Sequence, residues 1–281
     1  MITENPFSVL SEIISPAIMQ IYVVAMFVLV VGGTLLDTIH KKSGQWFFKN
    51  AEEAKKNATR EISGGEKTSI LMKTVAEDVL TSAEFCNPKR RLAHLLTMYG
   101  FVVFVAMSAI MVFAYPTSTA TPVIFPILWH LGALSLCVGG YWFWFAIRVD
   151  VAAEGNPWNR VVRADLFILS LLATTTFGLI WSFLQSTTGV SSFISLLFLG
   201  FFLLSTTVLF AGVLWSKFAH MFFKPAAAYQ KRTAKADGSN DNLPTVSRDD
   251  PEQQKRHSME LLKDAPMNMG LGIKRERPNH Y

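Results

Sequence analysis

The sequence predicts an all-α membrane protein. The expected architecture is a five-span transmembrane helix bundle, N-terminus outside and C-terminus inside, with a disordered cytoplasmic C-terminal tail. Three observations predict it. Five apolar runs each approach the roughly 20 residues needed to cross a bilayer. The chain is 51% hydrophobic and 12% aromatic but only 17% charged, less charge than a soluble domain carries. Lys and Arg gather in alternate links between the runs, which is the pattern that sets topology.

The first span is expected at about 16–36, opened by Pro16, whose missing N–H costs nothing at a helix N-terminus. The others are expected at about 92–115, 121–147, 165–185 and 192–215. Residues 1–15 and the links 116–120 and 186–191 contain no Lys or Arg. The link 39–91 carries Lys41, Lys42, Lys49, Lys55, Lys56, Arg60, Lys67, Lys73, Lys89, Arg90 and Arg91. Arg148, Arg160 and Arg163 follow the third span, and Lys217, Lys224, Lys231 and Arg232 follow the fifth. Every basic segment falls on one side when the N-terminus is outside. The start of the chain has neither the basic region nor the cleavage site of a signal peptide.

Residues 1–224, including the inner link 39–91, are expected to form the transmembrane domain. Within the link, Ile70, Leu71, Val75, Val79 and Leu80 have helical spacing. They suit an amphipathic helix on the membrane surface or against the bundle, or a short soluble helix packed on the helix ends. Residues 225–281 are polar and poor in aromatics, a composition that does not fold alone. Within this tail, 259–277 combines apolar islands with Lys274, Arg275 and Arg277 and reads as a docking peptide or as plain unstructured chain.

The formal net charge of +5 does not point to nucleic acid, because the basic residues flank apolar runs or lie in the tail. Cys86 and Cys137 have no neighbour at metal-ligand spacing, which argues against disulfide, zinc and iron–sulfur frameworks. Histidine is more informative. His40, His257 and His280 lie in polar surroundings, whereas His94, His130 and His220 lie in or beside apolar runs. An ionisable side chain at that depth is expensive and marks a functional candidate. With the predicted topology, His94 and His220 fall near the inner face on different helices. Two neutral imidazoles so placed suit the axial positions of one b-type haem. The competing reading is two hydrogen-bonded or interfacial histidines. His130, beside Trp129 in the outer half of the third span, suits a quinone site or a packing role.

Three motifs carry a resemblance. They are Glu77-Asp78-Val79-Leu80, Asn87-Pro88-Lys89-Arg90-Arg91-Leu92-Ala93-His94 with Tyr99-Gly100-Phe101, and Ser216-Lys217-Phe218-Ala219-His220. Together they resemble the respiratory nitrate reductase gamma subunit superfamily, over roughly residues 10–225. The nearer likeness is to its heterodisulfide reductase membrane cytochrome b branch. The resemblance implies a bacterial inner-membrane subunit that passes electrons between a soluble cytoplasmic iron–sulfur flavoprotein reductase and quinone. It implies an inner haem b on His94 and His220, with Arg90, Arg91 and Lys217 contacting propionates or lipid. It also implies an outer haem, whose ligand positions here are Phe104 and Phe202. Both outer ligands are therefore missing, and a haem-free anchor for the same kind of reductase is the alternative.

Overall fold

The computed structural model describes residues 2–40, 42–83, 85, 87–117, 121–150, 155–214 and 220–239. These residues form helices and no strand. In order they are α1 (Pro6–Leu10), α2 (Pro16–His40), α3 (Ser43–Lys56), α4 (Gly64–Lys73), α5 (Pro88–Ala114), α6 (Ile124–Trp142), α7 (Leu166–Thr188), α8 (Phe193–Ala211) and α9 (His220–Ala236). Helix α4 runs on into a π-helical segment, Thr74–Leu80, and α6 into another, Phe143–Ile147. Five helical stretches are long and apolar enough to cross a membrane: Pro16–His40, Pro88–Ala114, Ile124–Ile147, Arg163–Thr188 and Phe193–Ala211.

The boundaries shift from the sequence expectation for local reasons. Helix α5 starts at Pro88 rather than near 92, because the Asn87 side chain caps it by accepting from the N–H groups of Lys89 and Arg90 at 2.9 and 3.2 Å. Its cationic triplet is thus helical. Helix α1 uses the same Asn-Pro device, Asn5 accepting from the N–H of Phe7 at 3.0 Å. The Asn5 amide also donates to the Tyr115 carbonyl at 3.0 Å, tying α1 across the end of α5.

The chain divides into two compact units, 1–43 with 87–222, and 44–86 with the segment from 223 onward. The first holds all five candidate spans. Helices α5 and α6 pack backbone to backbone: a Cβ on Gly100 would lie 2.6 Å from the Leu136 nitrogen and 2.7 Å from the Gly132 carbonyl oxygen. A Cβ on Gly139 would lie 2.6 Å from the Ala93 carbonyl oxygen. Small residues permit this approach where dispersion rather than hydrophobic exclusion holds helices together. Tyr22 on α2 donates to the Leu203 carbonyl of α8 at 2.9 Å. Ile21, Phe27 and Val28 of α2 point outward, as a lipid-facing helix requires.

Arg148 organises the turn between α6 and α7. Its side chain is 1% exposed and donates to Asp165 and to the carbonyls of Pro157 and Arg160, the first carbonyl at 2.9 Å. Its guanidinium lies 4.2 Å from the Trp144 ring centre. A charge counted in the sequence as a topology signal is here a buried, fully partnered structural group.

In the second unit, α9 runs on to Ala236, past residue 225 where the sequence expectation places the start of the tail. Arg232 holds it with a forked contact, Nε to Asp78 Oδ2 at 2.6 Å and Nη2 to Glu77 Oε2 at 2.8 Å. Thr59 N–H donates to the Asp237 carbonyl at 2.9 Å, and Arg60 Nε to the Ala236 carbonyl at 2.7 Å. Part of the link 44–86 and the stretch 223–239 fold on each other through charges some 150 residues apart, a pairing that composition does not display. The expected docking peptide 259–277 lies outside the described residues.

Candidate functional site

The two ends of the bundle differ in chemistry. At the basic end, His94 lies in the second turn of α5 and is half-buried, as are Arg90 and Arg91. The Asn87 cap and Pro88 place all three in the opening turns of one helix. Its expected partner is only partly visible. The His220 backbone opens α9, while the His220 side chain and all of Lys217 lie outside the described residues. The structure therefore supplies one imidazole of the expected pair.

Toward the other end the interior is aromatic. Phe104 of α5 and Phe202 of α8 are both 5% exposed and meet edge to face, ring centroids 6.5 Å apart. Trp129 of α6 leans on Phe104 at 5.0 Å. Trp181 of α7 stacks on Phe202 at 5.6 Å and 13°. Phe7 of α1 closes the group, 6.0 Å from Trp129 and 5.6 Å from Trp181. Both tryptophans are fully buried. Edge-to-face and offset arrangements at these separations are favourable beyond the area they bury. The Trp129 indole N–H donates to Ser108 Oγ at 2.8 Å, so its polar atom is satisfied.

His130 stands beside this group, its ring edge-on to Trp129 at 4.8 Å. Its Nδ1 lies 2.7 Å from the Pro126 carbonyl oxygen and its Nε2 2.9 Å from Ser182 Oγ. A carbonyl only accepts, so Nδ1 carries the proton. In the neutral ring Nε2 then accepts from the serine hydroxyl. Both nitrogens are engaged, and the bond to Ser182 ties α6 to α7.

These residues do not fit a haem in the aromatic half of the bundle. Both ligand positions implied there carry phenylalanines, the rings touch each other, and tryptophans occupy the flanks. The one nearby imidazole spends its lone pair on Ser182. At the basic end, His94 is the imidazole at the position where the resemblance implies an axial ligand.

No family model, curated protein or solved structure matches the chain. The reading of the site therefore rests on its own residues and on the motif resemblance.

Sequence reasoning singles out His94, His130, Phe104 and Phe202. It missed α1, Phe7 and Trp181. The Asn5-Pro6 capping signal was available for α1, but nothing local in sequence says that Phe7 sits between two tryptophans.

Proposed function

We propose that the chain is the membrane subunit of a respiratory electron-transfer complex of the bacterial inner membrane. It anchors a soluble iron–sulfur flavoprotein reductase at the cytoplasmic face and links it to membrane quinone through one b-type haem. A short five-span subunit with an extended tail is most similar to the membrane anchor of adenylylsulfate reductase in sulfur-oxidising bacteria, and that reductase is the partner proposed. The observation that supports the reading is the asymmetry of the bundle: half-buried His94 stands with Arg90 and Arg91 at one end, and packed aromatic rings fill the other. His94 and His220 would hold the iron, each through a neutral ring nitrogen. When bound, haem supplies one-electron transfer. Arg90, Arg91 and Lys217 supply cations for propionates or lipid phosphates. The aromatic interior excludes water from the outer half. Electron traffic and the quinone site then belong to the half of the bilayer that holds His94.

A second reading is a haem-free anchor for the same kind of reductase. The exchange of both outer ligand positions for phenylalanine favours it.

One experiment separates the two. A dithionite-reduced minus oxidised spectrum of the purified protein is expected to show a b-type signal that His94→Ala abolishes and Phe104→Leu leaves intact. No signal from haem-replete cells would leave the anchor reading standing.

A further inference from the structure

Helix α4 and its π-helical continuation leave several large apolar side chains exposed within their own unit. Leu71, Met72, Val75 and Leu80 are 48%, 66%, 40% and 48% exposed. Among the polar groups of the π-helical segment, three are covered or held. Thr74 is 1% exposed, and Glu77 and Asp78 are held by Arg232 of α9. Every acidic group of the segment Gly64–Leu80 is paired, because Glu66 takes both outer nitrogens of Arg60, the longer contact being 3.0 Å. At about 100° per residue, Leu71 and Met72 bound one side of α4 with Thr68 between them, and Lys67 and Lys73 lie beyond its two edges. Both lysines are exposed, and Lys73 lies 3.9 Å from Glu77.

We infer that this face is seated in the headgroup–acyl boundary of an anionic lipid bilayer. Three features select lipid over another occupant. Apolar side chains flanked by long cationic stems match an interface in which the stems reach phosphates while their methylenes stay apolar. The acidic groups that an anionic surface would repel are neutralised by arginines. Chain length also keeps the face near a membrane. Only residues 81–87 separate Leu80 from Pro88, which opens a candidate span, and seven residues reach at most about 25 Å. Arg232 is then the positioning residue: by holding Glu77 and Asp78 it sets which side of the helix is turned outward.

The test uses the full-length protein in nanodiscs of mixed phosphatidylcholine and phosphatidylglycerol. Cys86→Ser and Cys137→Ser provide the background. A bimane label is placed at Met72→Cys and, as a control, at Glu61→Cys in the polar segment before α4. The Met72 label should be quenched by doxyl-labelled lipid several-fold more than the Glu61 label, and by aqueous acrylamide several-fold less. Lys67→Glu with Lys73→Glu should reduce the lipid quenching in anionic discs and leave the Glu61 label unchanged. Equal acrylamide quenching at both sites would overturn the inference in favour of a solvated face. Protection from both quenchers would overturn it in favour of a protein contact.

Discussion

Phe104 and Phe202 face each other edge to face across the bundle, 6.5 Å apart, at the two positions where the motif resemblance puts a pair of haem ligands. Each ring is also covered by a tryptophan. The phenylalanines are thus part of a continuous packed interior rather than isolated replacements. Phe104→Ala would open a space that neighbouring aromatic rings, held on four other elements, cannot readily collapse into. A loss of about 3–5 kcal/mol is expected. Thermal unfolding in detergent should show a clearly lowered midpoint, while Phe104→Leu should sit between the variant and the parent.

His130 bridges α6 and α7 with both ring nitrogens engaged. Removing the ring in His130→Ala strands the Ser182 hydroxyl in an apolar surround, at an expected cost of about 1–3 kcal/mol. His130→Asn, which keeps a donor and an acceptor on a shorter stem, should recover part of it. The optical spectrum of any bound haem should be unchanged in both variants. A spectral shift would mean that His130 acts as a ligand, against its placement beside Ser182.

Arg148 and Asp165 form a buried ion pair closing the turn between α6 and α7. Arg148→Ala leaves the carboxylate without its charge partner, and about 3–5 kcal/mol should be lost. Asp165→Asn alone should also destabilise. The double variant Arg148→Ala with Asp165→Asn should be milder than the sum of the two singles, because it strands neither charge. A double-mutant cycle on detergent melting temperatures measures the coupling, and strict additivity would contradict the pairing.

In the second unit, the hydrogen bond from Arg60, with its positive charge, holds the Glu66 carboxyl below the usual glutamate range. The sign follows from that depression. The folded form binds its proton less readily than the unfolded form. The contact's contribution is therefore complete above the ordinary glutamate pKa of about 4.3 and is lost as pH falls below it. Amide exchange at residues 60–66, corrected for the intrinsic rate, should be constant between neutral and mildly acidic pH and rise only below that range. Glu66→Gln should remove the acid-dependent step.

The sequence by itself determined the membrane class, five spans and the places where they lie. Apolar run length is a one-dimensional property, and a bilayer demands that backbone polar groups be satisfied within each helix. His94 stands out for a similar reason, since it lies within a quoted motif, and Phe104 and Phe202 stand at positions that the resemblance counts from the motif histidines. Cap chemistry was also local: Asn5-Pro6 and Asn87-Pro88 fix two helix starts by side chains a few residues from the backbone groups they serve.

Only the tertiary structure decided what those residues touch. It brought Phe7 between Trp129 and Trp181 from more than 100 residues away in the chain. It turned Arg148 from a topology marker into a buried partner of Asp165, and engaged both nitrogens of His130. It also joined α9 to Glu77 and Asp78 through Arg232, folding a stretch that composition alone marks as tail. The physical reason is common to all of these. Run length, periodicity and caps report local backbone needs, whereas ring packing and ion pairing depend on which helices become neighbours and how they are rotated.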